Sequence, residues 1–345
     1  MRKKLMSLVL TAAMVGAMSL TAFAGETEME VAVPDASGDP AVTLVFAEVN
    51  PLDTIIGQFD AKFAEEVEAL SGGSIKIDMQ DSGVLGGEPD FLDNMTGGIG
   101  TIDMCRTSVS TLTGYGTPKA VLLSLPFAFL SHDHFWNFVD SDVAKECLDE
   151  VSETGLGIRG ICYAEEGFRH MFFNKEVNGI DDLKNLKIRV NSDPTMTGLI
   201  SSFGANPTVV SYNELYSSLQ TGVVDGAENP LNNYQANSFN EVAPYVLLTG
   251  HQLGISELVI TEQAWEKLTE AQQACIYAAA EIAQEYDKKI VEEAEETAKK
   301  ELEEKGVTFV EIDDKTPYTD AVADMIADST KGFEDQWAAI QACNE

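Results

Sequence analysis

Residues 187–230 read KIRVNSDPTMTGLISSFGANPTVVSYNELYSSLQTGVVDGAENP, and no other stretch of the chain constrains the fold as tightly. A β-rich run (Leu186, Ile188, Val190) holds Arg189 and passes into an apolar helical segment. Gly204-Ala205-Asn206-Pro207-Thr208 punctuates the chain before a second helical segment over 212–221, closed by Gly222. Strand and helix alternating at this spacing imply a mostly parallel sheet with helices on both faces. Arg189 is a planar cation beside a strand, and its fork suits a carboxylate better than any other side chain.

The same alternation runs through the rest of the chain. The segment VTLVFAE from Val42 reads as a strand, and Ile55, Ile56, Phe59, Phe63, Val67 and Leu70 recur at helical spacing over 54–70 before Gly72-Gly73. Ile75, Ile77 and Met79 mark a second strand, 91–95 a short helix, and 105–108 a strand end. FRHMFFN at 168–174 is expected to open a second lobe, and 258–261 to return the chain to the first. Over 269–305 a single helical pattern begins at a Thr269/Gln272 capping box and stops at Gly306. It would be roughly 50 Å long, more than one small domain needs. Its stripe is alanine-rich, which suits a packed crossing helix better than a coiled-coil arm.

The first residues bear on compartment. Arg2, Lys3 and Lys4 precede an apolar run over 5–20 and the small-x-small triplet Ala22-Phe23-Ala24, the pattern of a signal peptide over 1–24 cleaved before Gly25. Residues 25–40 are acidic, contain two prolines, and read as a flexible leader. The chain carries a formal charge of −35. Losing its three N-terminal basic residues would leave 19 Lys+Arg against 57 Asp+Glu. Such a surface repels nucleic acid and anionic lipid. The five cysteines form no C-x-x-C pair or metal-like spacing, so no disulfide framework is expected.

Chemistry-bearing motifs are sparse. No H-E-x-x-H, G-x-S-x-G or P-loop occurs. His132 and His134 form an H-x-H with no third ligand to argue for, and a surface helix cap explains them better. The arginines say more because there are only five: Arg2, Arg106, Arg159, Arg169 and Arg189. Arg106, Arg169 and Arg189 lie in or beside strands, where an unpaired guanidinium is costly. Each is either paired internally with one of many acids or reserved for an anionic ligand.

The order KIRV, GA-x-PT, a helix ending LQTG, then VDG-x-ENP resembles the solute-binding (DctP-like) subunits of TRAP (tripartite ATP-independent periplasmic) transporters, over about 42–335. The resemblance implies an α/β, two-lobed periplasmic-binding-protein-like fold, with a long helix spanning both lobes and a ligand cleft between them. Lobe I is expected over 41–166 plus 255–294, and lobe II over 167–254 plus 295–340. It implies a ligand carboxylate clamped by Arg189, with Arg169, Asn229 and Tyr212 as further contacts and Glu48, Asn50 and Ser108 contributed by the first lobe. Ser108 stands near a position that is acidic in sialic-acid-binding members, which argues against that ligand. Arg106 would add a second positive charge suited to a diacid or sulfonate. C4-dicarboxylates, sugar acids, oxo acids and sulfonates all remain open.

The implied partners are a small and a large TRAP membrane subunit driven by an ion gradient. The protein is expected outside the cytoplasmic membrane, in the periplasm or on the extracellular face, as a soluble monomer with no cofactor, no metal, no catalytic residue and no nucleic-acid partner. An ABC-importer binding protein is the nearest alternative, and a secreted enzyme a more distant one.

Overall fold

The computed structural model describes residues 31–344, and the expected signal segment over 1–24 lies outside them. Nine strands form one sheet: β1 (Val42–Ala47), β2 (Ile75–Gln80), β3 (Met104–Ser108), β4 (Ile158–Phe173), β5 (Lys187–Val190), β6 (Asn206–Val209), β7 (Gly226–Pro230), β8 (Tyr245–Thr261) and β9 (Thr308–Val310). Their order is β2-β1-β3-β8-β4-β7-β5-β6, with β9 beside β8. The fold is α/β and two-lobed, but the lobes share this sheet. Within each lobe neighbouring short strands run parallel, whereas β4 pairs β8 and β7 antiparallel and β3 pairs β8 antiparallel.

The two long strands, 16 and 17 residues, are what the sequence pattern did not reveal. It marked only their ends, 168–174 and 258–261. Glycines at 160, 167, 250 and 254 and the polar run Glu165-Glu166 break the apolar alternation that marks a strand. The lobes meet where Gly167 pairs with Gly254, beside a register shift between Glu165 and Gly167. Gly167 has φ +85°, a conformation that favours glycine, and a Cβ there would sit 2.3 Å from a Glu295 carboxylate oxygen and force that side chain to move.

The Glu270–Glu304 helix is capped by Thr269, whose side chain accepts from the Gln272 amide, in a full capping box. Its first half buries Cys275, Ile276, Ala279 and Ala283 in the lobe I core with Phe59, Phe63 and Val67 of the Ile55–Leu70 helix. Its last turns bury Ala298 and Leu302 in lobe II with Phe172, Leu215 and Tyr234. The alanine stripe lets backbones approach closely, and the helix ties the two lobes together.

Two expectations need correction. A flexible leader is expected over 25–40, and its first part lies outside the described residues. From Val31 on, however, it packs onto lobe I: Ala36 is fully buried, and Gln272 donates to the Pro40 carbonyl (2.9 Å). The range 295–340 does not stay on lobe II. The Thr316–Ser329 helix packs there through Tyr318 and Val322, but the Glu334–Ala342 helix returns to lobe I, where Ile340 joins Phe129, Phe135 and Trp136.

The H-x-H pair is no surface cap. Ser131 caps the His132–Val139 helix, His134 is buried against the Ile340 carbonyl (2.8 Å), and His132 is clamped between Glu165 (2.6 Å) and Glu295 (3.1 Å). All five cysteines are free thiols, four of them buried. Among the described residues no helix is long and apolar enough to cross a membrane.

Candidate functional site

β5 lies between β6 and β7, and its alternation sends Ile188 and Val190 into the lobe II core while Arg189 faces the other way. Arg189 remains only 4% exposed. Its Nε donates to the Val210 carbonyl (2.9 Å), and its guanidinium lies 5.5 Å from the Tyr212 ring centroid. Among the described residues it alone of the four arginines has no carboxylate partner within ion-pair distance: Arg106, Arg159 and Arg169 all do. Burial pulls its pKa below the ordinary arginine value, and Glu228 offsets this only in part.

Arg189 lines a cavity of about 320 Å³ between the lobes, together with Arg169, Asn229, Tyr212, Asn50 and Ser108. Six of the eight expected contacts are thus brought together, though not all in the expected role. Arg169, on β4, is committed to Glu228: its Nε and Nη2 donate to the two carboxylate oxygens at 2.5 and 3.0 Å. Burial would raise the Glu228 pKa, but Arg169 and His251 hold it down at about 2. Asn229 donates to the Tyr212 hydroxyl (2.9 Å), which also accepts from Asn237 (3.1 Å). Tyr212 is therefore a fixed wall of the cavity. Ser108 spends both its amide and its hydroxyl on Glu88, each at 3.1 Å.

Glu48 and Arg106 do not line the cavity. They form a buried pair beneath it, both fully inaccessible, with Arg106 Nε donating to Glu48 (2.8 Å) and Nη1 to Glu166 (3.1 Å) and Ser256 (3.0 Å). Their expected ligand contacts are corrected accordingly. A guanidinium sealed in a low-dielectric core is held only by carboxylates that saturate it, which leaves none of its charge for a ligand. Nearby Asp60 is buried without a hydrogen-bond partner, and burial and Glu48 push its pKa well up.

Sequence reasoning missed the carboxylates and amides that complete the wall: Glu88, Glu166 and Glu228, with Asn191 and Asn233. In so acidic a chain no single glutamate stands out. Position was the available signal, since Asn191 follows Arg189 by two residues and Glu228 immediately precedes Asn229. Side-chain carbonyl oxygens of Asn50, Asn191 and Asn233 are buried with no hydrogen-bond partner among the described residues. Asn191 and Asn233 spend their amide nitrogens on Ser110 (3.0 Å) and Glu166 (3.1 Å), which leaves those oxygens as acceptors. Such a wall accepts hydrogen bonds from hydroxyl groups, and Arg189 supplies the charge for one anion.

Comparison with known proteins gives the family and the fold. Residues 46–331 match the family model DctP, described as bacterial extracellular solute-binding protein, family 7. A solute-binding protein of Roseobacter denitrificans is 34% identical over 252 residues, covering 73% of this chain and 76% of that protein. A TRAP periplasmic solute-binding protein from Pseudomonas putida F1, crystallised with bound D-glucuronate, superimposes with a TM-score of 0.83 at 28% identity, covering 87% of this chain and 97% of the other. One from Polaromonas sp. JS666, bound to D-erythronate, gives 0.82 at 29% identity, covering 87% and 98%.

Proposed function

The chain belongs to family 7 of the bacterial extracellular solute-binding proteins, the DctP family, and from that premise we propose that it captures a small organic acid outside the cytoplasmic membrane and delivers it to a TRAP-type, ion-gradient-driven transporter. The observation that carries the reading is Arg189, buried in the interlobe cavity without a carboxylate partner. A ligand carboxylate would complete its fork with two parallel charge-assisted hydrogen bonds. The mechanism has no chemical step: the lobes close on the acid, water is displaced, and the closed form meets the small and large membrane subunits. Signal cleavage near Gly25 and a monomeric mature protein belong to the same proposal.

Within organic acids we favour a sugar acid over a C4-dicarboxylate. Arg169 is already neutralised by Glu228, so the cavity has charge for one carboxylate. A second would approach Glu88, Glu166 and Glu228, at the cost of like-charge repulsion in a partly desolvated site. Hydroxyls, in contrast, would satisfy the free oxygens of Asn50, Asn191 and Asn233. The solved relatives with bound D-glucuronate and D-erythronate support this class.

A thermal-shift screen tests it. D-Glucuronate or D-erythronate at 100 times its dissociation constant adds about 2.7 kcal/mol of stability. Succinate and neutral sugars at that same concentration should add far less, and succinate matching either sugar acid would overturn the preference.

A further inference from the structure

The segment that follows Arg189's strand is stitched to lobe I. Asn191 donates to Ser110 Oγ (3.0 Å), and a Cβ on Gly114 would sit 3.7 Å from the Ser192 carbonyl oxygen. Thr113 Oγ lies 2.8 Å from Asp193 Oδ1. That hydroxyl is also 2.8 Å from the Ser110 carbonyl, so one proton faces two acceptors, and the carboxylate is the stronger. Asp193 is 1% exposed and also caps the Pro194–Ser202 helix, accepting from the Thr195 (2.8 Å) and Met196 (3.3 Å) amides. Asn191 lines the cavity, whereas Thr113 and Asp193 do not. The Thr113–Asp193 contact therefore joins the lobes just outside the cavity lining.

We propose that Thr113 and Asp193 are positioning residues that latch the closed cleft, holding the Arg189 strand end against lobe I. When the lobes part, the Thr113 hydroxyl falls back on the Ser110 carbonyl and Asp193 keeps its capping amides and water; when they meet, the hydroxyl donates to the stronger, charged acceptor. The pair thus favours the closed form by the same amount whatever acid is inside. Apparent affinity scales with the population of the binding-competent form, so the latch multiplies every ligand's affinity by one factor and leaves selectivity untouched. A ligand leaves only after opening, so the effect falls on the dissociation rate. Asp193 is tied to lobe II by its capping bonds, which makes Thr113 the side to perturb.

The inference rests on the interlobe-cleft reading above, and its test keeps the two separable. Thr113→Val keeps the branched shape and removes the hydroxyl, and Thr113→Ser restores it. Calorimetry and stopped-flow are run on the full mature chain with D-glucuronate and with D-erythronate. Thr113→Val is expected to weaken both acids by the same factor, roughly ten-fold or more for one interlobe hydrogen bond to a carboxylate. The dissociation rate should rise, the ligand-free melting temperature should hold, and Thr113→Ser should recover affinity. Unchanged affinity, unequal loss for the two acids, or no recovery in Thr113→Ser would overturn the latch. If the wild type binds neither acid, the ligand class fails instead. Paired spin labels on the two lobes then decide the latch: Thr113→Val should shift the interlobe distances outward, and identical distributions overturn it.

Discussion

Lobe I and lobe II each bury an arginine, and the two environments are opposites. Arg106 on β3 is fully inaccessible and surrounded by carboxylates, with Glu48 at 2.8 Å on Nε and Glu166 at 3.1 Å on Nη1. Arg189 on β5 is 4% exposed and meets a carbonyl, an aromatic face and no carboxylate within ion-pair distance. Burial alone does not separate structural from functional charge. What separates them is whether the fold has already supplied the counter-ion: it has for Arg106, whereas among the described residues no carboxylate lies within ion-pair distance of Arg189.

The largest expected effect tests the saturated member. Arg106→Ala strands Glu48 and Glu166 in the core, and loss of one partner of a buried ion cluster costs about 3–5 kcal/mol. Chemical denaturation should show that loss, and a melting curve like wild type would break the comparison. Arg189→Ala should behave in the reverse way, with a near-normal ligand-free melt and binding of D-glucuronate abolished in calorimetry. Arg189→Lys keeps the charge but loses the fork, and should weaken binding by about 1.5–3 kcal/mol, the range for a hydrogen bond to a charged group. Wild-type affinity in Arg189→Ala would remove the basis of the functional reading.

A third cation, only partly buried, sharpens the contrast through pH. Burial alone would lower the His132 pKa, but hydrogen bonds to Glu165 and Glu295 hold it up at about 10, against an ordinary value of 6.5. A pKa raised on folding contributes stability that is fully present below the unfolded value and is lost as pH rises through the folded one. Wild type should therefore lose stability relative to His132→Gln between about pH 6.5 and pH 10. Parallel profiles for the two proteins would show that His132 is not held as an imidazolium. Smallest of all is Arg159, one-third exposed, 3.2 Å from Glu262 and stacked 5.1 Å over Trp265. A partly exposed pair and a surface cation–π contact predict no more than about 1–1.5 kcal/mol for Arg159→Ala in denaturant melts.

Legibility followed the range of the interaction. The Thr269 cap, the Ile55–Leu70 helix and the whole Glu270–Glu304 helix were readable because periodicity and capping act within a few residues. Arg189 stood out because arginine is scarce and its flanking motif is long. The long strands β4 and β8 were not readable, because their glycines and buried glutamates are tolerated only where two lobes cross. Arg106 was misjudged for the same kind of reason: its partners lie 58 and 60 residues away in sequence. The return of the last helix to lobe I depended on Ile340 finding Phe129 and Trp136, again a contact between distant segments.

By itself, then, the sequence determined the family, the Ile55–Leu70 and Glu270–Glu304 helices and the candidate anion anchor, all of which rest on local pattern. Only the tertiary structure decided which charges are spent on one another, which amide oxygens are left open, and where the lobes are joined. The reason is physical: a side chain's type sets what it can bind, but in a buried site its available charge depends on the groups that folding brings within a few ångströms of it.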